Sequence, residues 1–124
     1  MTKQAIGGIS AQNLPFSKAF RAGDFVFVSG QVAFDSQGRL VEGGIEAQTD
    51  QVMGNVEAVL KEAGCGLGDI VKTTVWLADA RDFGRFNATY AKYFPENPPA
   101  RSTVGSRLMI DAKIEVEVIA YKPV

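Results

Sequence analysis

Runs of apolar residues with different periods divide the first half of the chain into an extended third and a helix. The apolar run FVFV at residues 25–28 ends at Ser29 and Gly30, which predicts a buried strand with a bulge or break at that glycine. From Ile45 to Ala63 the apolar positions recur every three, four or seven residues, and Gly64 follows. This spacing predicts the longest helix, ended by a glycine.

The second half of the chain alternates the same two patterns. Residues 70–77 are rich in Val, Thr and Trp and predict a strand. The next segment predicts a helix with a buried aromatic stripe formed by Phe83, Phe86, Tyr90 and Phe94. Asp79 or Asp82 is available to cap its start, and Pro95 ends it. Residues 101–106 and 113–121 predict two closing strands, joined by the short segment 108–111 as in a hairpin.

The resulting order β, β, α, β, α, β, β predicts one α+β domain over residues 1–124. Two helices and four or more strands pack most simply as a helical layer on one face of a mixed sheet. The other sheet face is then left without a cover in the monomer. We expect it to be buried against other copies of the chain, because a net charge of −1 opposes self-association only weakly.

The amino-acid composition limits which catalytic groups the chain can use. The chain has no histidine and one cysteine, which excludes Ser-His-Asp and Cys-His nucleophiles, imidazole relays and an internal disulfide. Catalysis must therefore use carboxylates, hydroxyls, Arg, Lys, Tyr or backbone groups. The charges are mixed along the chain, which argues against a nucleic-acid or membrane partner. With no long apolar segment at the N-terminus or elsewhere, a cytoplasmic protein is expected.

A glycine pattern, G-x-G-x-G at residues 64–68, has the composition of a phosphate-binding loop. Such a loop follows a strand and opens a helix, whereas these glycines follow a helix and precede a strand. The pattern therefore predicts a helix-terminating turn. Cys65 lies inside that turn with no histidine to activate it and is interpreted as an incidental thiol.

Two charged residues of the predicted C-terminal hairpin form a candidate site. The hairpin register sets Arg101 opposite or diagonal to Glu117, with Thr103 beside them on the same sheet face. Arg101 could bind a substrate carboxylate while Glu117 handles a proton or a water molecule. The simpler interpretation is a cross-strand ion pair that fixes the register. The alternation of residues along the strands, taken alone, favours this interpretation.

Two polar residues outside the hairpin also have two interpretations each. Ser29 beside Gly30 could present a hydroxyl and free backbone donors to a ligand, and a strand bulge explains it equally well. Asn87 beside the aromatic stripe could contact substrate or satisfy backbone groups of the helix.

Five ordered motifs resemble the RidA (YjgF-like) family of reactive-intermediate deaminases, nearly from end to end. They are VSGQ at 28–31, GDIVKTTV at 68–75, FNATY at 86–90, PARSTV at 99–104 and IEVEVIA at 114–120. The resemblance implies a chorismate-mutase-like α+β fold, a homotrimer and ligand sites between subunits. It also implies hydrolysis of 2-imino or enamino acids to 2-oxo acids and ammonia without a cofactor or metal.

The same resemblance implies roles for individual residues. Arg101 would hold the substrate carboxylate, Glu117 would position or activate the water, and the backbone at Thr103 would approach the imine nitrogen. The pocket would be completed by Phe16, Ser29, Gly30 and Asn87. Phe16 and Thr103 depart from the archetype, which has a tyrosine and a cysteine there, so the chain is placed in a neighbouring subgroup. The alternative function is a non-catalytic binder of small carboxylates, ahead of a ribonuclease or translation inhibitor.

Overall fold

A single six-stranded sheet forms the frame of the molecule. The computed structural model describes residues 3–10 and 12–124. The strands are β1 (Lys3–Ile9), β2 (Ser17–Ala22), β3 (Phe25–Gln31), β4 (Ile70–Leu77), β5 (Ala100–Gly105) and β6 (Ile114–Tyr121). Their order across the sheet is β1-β2-β3-β6-β4-β5. Only β4 and β5 run parallel, so the sheet is mixed, as predicted.

Two helices, α1 (Ile45–Glu62) and α2 (Phe83–Ala91), complete the α+β fold. The apolar stripe of α1 packs with the even-numbered residues of β6 and with α2 in one core. Each of Val52, Val56, Val116 and Phe86 is fully buried there. This confirms the predicted helix periodicities, because the buried positions are those that the spacing assigns to one face, and β6 likewise buries its even-numbered residues.

The glycine run after α1 ends the helix, as the sequence predicts. Gly64 has φ +78°, in the left-handed region that glycine adopts without a steric penalty. Its N–H donates to the Lys61 carbonyl, and the Cys65 N–H donates to the Leu60 carbonyl. These two bonds form a Schellman motif and satisfy two carbonyls at the helix end. Cys65 itself is buried.

The entrance to α2 uses both predicted capping residues in different ways. Asp79 accepts a hydrogen bond from the Arg81 N–H and so caps the short 3-10 helix Ala80–Asp82, which runs directly into α2. Asp82 occupies the N-cap position of α2 without a side-chain bond to the backbone. The regular helix ends at Ala91, before Phe94 and the predicted stop at Pro95.

Two predictions about strands are wrong. Three strands rather than two precede α1, because residues 3–9 and 17–22 form separate strands. The last two strands do not form a hairpin, because β4 lies between them and pairs with β5 on one side and β6 on the other. The chain enters β5 through α2, and a strand–helix–strand unit of this kind places its two strands parallel.

Arg21 on β2 is a buried charged side chain on the covered side of the sheet. It is 7% exposed and donates to the carbonyls of Gly23, Ala63 and Lys122. Those carbonyls belong to a turn, to the end of α1 and to the segment after β6. Hydrogen bonds to three backbone segments replace the water that a buried guanidinium loses.

The second face of the sheet is uncovered in the chain, as predicted. Phe25, Phe27 and Tyr121 lie on this open face and are 42–45% exposed. No helix among residues 3–10 and 12–124 is long and apolar enough to cross a lipid bilayer.

Candidate functional site

Arg101 lies on β5, an edge strand, and its side chain is on the side of the sheet that the helices cover. Its register partner is Thr73 on β4. The guanidinium carbon lies 5.7, 5.2 and 5.0 Å from the ring centroids of Phe83, Phe86 and Tyr90. Among the described residues no carboxylate forms an ion pair with it. Arg101 is therefore a half-buried cation held by aromatic rings, and its N–H groups remain available to an anion.

The three rings belong to the aromatic stripe of α2, which the sequence assigns to the core. Phe86, Tyr90 and Phe94 are buried, in agreement with that prediction, whereas Phe83 is 45% exposed. The Tyr90 and Thr73 hydroxyls are 2.8 Å apart and hydrogen-bonded in the interior. Burial raises the pKa of Tyr90 above its ordinary value, and the bond to Thr73 and the charge of Arg101 partly oppose that rise.

Glu117 lies on the opposite face of the sheet from Arg101. Thr73 pairs with Arg101 and with Val118, whereas its neighbour Thr74 pairs with Glu117. Since directly paired residues share a face and successive residues alternate, Arg101 and Glu117 are on different faces. The predicted shared face is wrong, because it assumed that β5 and β6 pair directly. The cross-strand ion pair that the same register allowed is also absent from the described residues.

The open face carries a second group of polar residues around the bulge in β3. The register between β3 and β6 shifts between Val28 and Gln31, which confirms the predicted irregularity at Gly30. The Ser29 hydroxyl donates to the Ser17 carbonyl at 2.6 Å and so ties the bulge to β2. A bulge of this kind re-aims the backbone beside a potential site.

Glu115 belongs to the same group, although the sequence alone did not point to it. A methyl group on Gly30 would overlap the Glu115 carboxylate and would lie 2.9 Å from its Cδ atom. Burial, and then repulsion by Glu117, raises the pKa of Glu115 above its ordinary range. Glu117 is the more exposed of the two carboxylates. The sequence shows only that both glutamates occupy the odd-numbered face of β6. The bulge residues Ser29 and Gly30 lie opposite Glu117 in the register, and the structure shows that the Glu115 carboxylate reaches Gly30.

One cavity lies on the open face of the sheet and another at the β5 edge. An open cavity of about 360 Å³ lies on the open face and is lined by Ser17, Ala19, Phe20, Phe27, Val28, Ser29 and Glu117. Another, of about 220 Å³, lies at the β5 edge beside Phe83 and Thr103. The Thr103 Oγ1 atom is buried and makes no hydrogen bond within the described part of the chain. The two cavities share no residue: of the predicted site residues, Ser29 and Glu117 line the cavity on the open face and Thr103 lines the one at the β5 edge, so these three fall into two separate half-sites.

The remaining predicted residues also fall on different parts of the fold. Phe16 directly precedes β2 and is 43% exposed. Asn87 is half-buried on α2 next to Phe86. Within residues 3–10 and 12–124, no hydrogen bond of the Asn87 side chain satisfies a helix backbone group. No group of three or more His, Cys, Asp or Glu side chains there is placed to hold a metal ion.

Comparison with known proteins gives consistent matches over most of the chain. A family model described as "Endoribonuclease L-PSP" matches residues 8–122. A RutC family protein of Pyrococcus abyssi is 48% identical over 110 residues, which are 87% of each chain. The mouse protein named 2-iminobutanoate/2-iminopropanoate deaminase is 41% identical over 87% of this chain and 82% of its own.

Solved structures agree with the sequence matches. The crystal structure of yeast Mmf1 aligns with a TM-score of 0.91 and 37% identity, and covers 98% of this chain and 99% of that one. The motifs, the mixed sheet with two helices on one face and the family model all lead to the same assignment: the chain belongs to the RidA (YjgF-like) family.

Proposed function

We propose that this protein hydrolyses reactive 2-imino and enamino acids to 2-oxo acids and ammonia. The observation that carries the proposal is the state of Arg101. This cation is half-buried on three aromatic rings and has no carboxylate partner among the described residues. An arginine in this state is suited to bind a planar carboxylate through two parallel N–H bonds. The name of the mouse relative supports the same reaction.

The chemistry needs little from the protein. An enamino acid first becomes the 2-imino acid by moving a proton from its nitrogen to its β-carbon. Water then adds to the electrophilic C=N carbon, the resulting carbinolamine loses ammonia, and a C=O bond replaces the C=N bond. The protein has to hold the substrate by its carboxylate, take a proton from the water and return one to the leaving nitrogen. Positioning by Arg101 and proton transfer by one carboxylate are sufficient for these tasks.

Two glutamates on the open face are candidates for the proton transfer. Glu117 is the carboxylate that the family resemblance implies. Burial, and then the charge of Glu117, raise the pKa of Glu115 above its ordinary range, which suits a carboxylate that exchanges protons with water. We therefore extend the proposal to the pair, with Glu115 as the proton-handling group and Glu117 as the neighbour that raises its pKa.

The complete site requires more than one copy of the chain. Arg101 and the two glutamates lie on different faces of one sheet, so they cannot act on the same small molecule within one chain. We propose a homotrimer in which the open face of one subunit meets the β5 edge of the next. The exposed rings of Phe25, Phe27 and Tyr121 support this arrangement, since a second copy would bury them.

The test couples the protein to a dehydratase that releases 2-aminoacrylate or 2-aminocrotonate and measures ammonia and 2-oxo acid. We expect the wild-type protein to accelerate release. Arg101→Ala should lower kcat/KM by about 100-fold, because two charge-assisted hydrogen bonds are lost. Arg85→Ala is the matched control: Arg85 is exposed on α2 and makes only a 3.5 Å ion pair with Asp82. Absence of acceleration with any imino acid would refute the enzymatic proposal.

A non-catalytic binder of small carboxylates is the second candidate. The observation that favours it is that a single chain presents the anion-binding arginine without a carboxylate on the same face. Calorimetry with 2-oxobutanoate separates the two functions, because binding that depends on Arg101 without turnover would support the binder.

A further inference from the structure

Arg101 occupies a position where an arginine is ordinarily mobile. It lies on β5, at the edge of the sheet, and its long side chain has many rotamers. A planar bidentate contact to a carboxylate, however, requires the guanidinium in one orientation. Some feature of the fold must limit its motion if the residue is to bind a small anion well.

The rings of Phe83, Phe86 and Tyr90, here called the aromatic cage, provide that limit. Their centroids lie 5.0–5.7 Å from the guanidinium carbon, and the Tyr90 ring is nearest. Contact with ring faces restrains the cation without occupying all its N–H groups. The cage therefore limits where the guanidinium can move and leaves hydrogen-bond donors for a ligand.

Thr73 holds the hydroxyl end of the Tyr90 side chain in place. The two hydroxyls are hydrogen-bonded at 2.8 Å, and the residues are 5% and 0% exposed. Thr73 is also the register partner of Arg101 on the neighbouring strand. One bond thus links α2 to β4 at the level of the sheet where Arg101 stands, so a swing of the Tyr90 side chain about its Cα–Cβ bond would break a buried hydrogen bond.

We infer that Tyr90 and Thr73 are positioning residues for Arg101. Their hydroxyl pair fixes the nearest ring of the aromatic cage and thereby keeps the guanidinium oriented for a carboxylate. The inference rests on the proposed function for the identity of that carboxylate. The positioning itself is a property of the folded chain and can be measured without a ligand.

Tyr90→Phe tests the inference because it keeps the ring and removes only the hydroxyl. The loss of one neutral hydrogen bond corresponds to roughly a threefold to tenfold effect. We expect KM for the imino acid to rise by that factor with kcat unchanged, since Arg101 binds the carboxylate equally in the ground and transition states. The Kd for 2-oxobutanoate, measured by calorimetry, should rise by the same factor.

Thr73→Val removes the other hydroxyl at nearly constant shape and should give the same rise. The double variant should resemble Tyr90→Phe, because both changes break the same Tyr90–Thr73 bond. Tyr93→Phe is the matched control: Tyr93 is three residues along, and its hydroxyl donates to Asp50, away from the aromatic cage. Its KM should equal that of the wild type.

The NMR signal of the Arg101 Nε–H group gives a readout that needs no activity. Arg101→Lys assigns the signal, which should be sharp in the wild type and broadened in Tyr90→Phe and Thr73→Val. Unchanged signals in both variants would overturn the inference, whether or not the protein hydrolyses imines. A fall in kcat or in the folded fraction at unchanged KM would also overturn it, since that result indicates a purely structural role. If the protein proves not to hydrolyse imines, the NMR result alone decides whether Tyr90 and Thr73 position Arg101.

Discussion

Gly30→Ala should separate the stability of the fold from the geometry of the open-face half-site. No positive φ restricts this position, so alanine fits the backbone. The new methyl group, however, would overlap the Glu115 carboxylate, with Cδ at 2.9 Å and Cγ at 3.2 Å. The side chain of Glu115 has to move, and the end that moves furthest is the carboxylate proposed to handle the proton.

The two effects have different sizes. Overpacking costs about 1 kcal/mol at the low end of its range, which applies because the obstacle is the far end of a flexible side chain. The restriction of the unfolded chain by alanine offsets about 0.4–1 kcal/mol of this. For a domain of this length the net change lowers Tm by no more than about 4 °C. A carboxylate displaced by about 1 Å should lower kcat/KM by about 100-fold.

The assay combines thermal unfolding with the coupled dehydratase measurement. Gly54→Ala is the control, because Gly54 is exposed within α1 and a methyl group there meets no atom within 4 Å. It should raise Tm by a few degrees, since glycine costs about 0.5–1 kcal/mol in a helix, and should leave activity unchanged.

A methyl group at residue 30 could also obstruct the substrate directly. The double variant Gly30→Ala/Glu115→Gln distinguishes the two explanations, because displacement of a group that no longer ionises should cost almost nothing further. Equal losses in both backgrounds, or a Gly30→Ala variant with wild-type kcat/KM, would refute the assigned role of Glu115.

Two further predictions concern the open face. Glu117→Gln should shift the acid limb of the pH profile of kcat/KM to lower pH. Repulsion by Glu117 raises the pKa of Glu115, so Glu115 stays ionised in more acidic solution once that charge is removed. An acid limb at the wild-type pH would contradict this coupling between the two carboxylates. Phe27→Asp should convert the homotrimer to monomers in sedimentation experiments and abolish turnover. The control Ala58→Asp, on the exposed side of α1, should change neither the assembly nor the turnover. A trimeric Phe27→Asp variant would place the interface elsewhere.

Local patterns predicted the elements well because the relevant interactions are local. The spacing along residues 45–63 and the glycine at position 64 define α1 and its end almost to the residue. Alternation on β6 identified its buried face without any knowledge of its neighbours. Strands β1 and β2 were harder to predict, since β1 contains two adjacent glycines and β2 places Arg21 on the covered face, against the usual polarity.

The candidate site was predicted by residue type but not by placement. Arg101 and Thr103 share a face and Glu117 does not, because β4 is inserted between their strands and changes which residues pair. Parity within a strand says which residues share a face of that strand, but the register to a neighbour depends on the topology. The role of Glu115 depends on the β3 bulge meeting β6, a contact between segments some 85 residues apart in sequence.

The position of β6 has a consequence for how the chain is assembled during synthesis. It is the last strand along the sequence, yet it lies at the centre of the sheet, between β3 and β4. Until it has left the ribosome, β1-β2-β3 and β4-β5 are two separate ladders with no hydrogen bond between them, and the even-numbered residues of β6 are missing from the core. Completion of the sheet is therefore a late, long-range event, and a nascent chain interrupted before residue 114 exposes two unpaired strand edges to aggregation or chaperone capture.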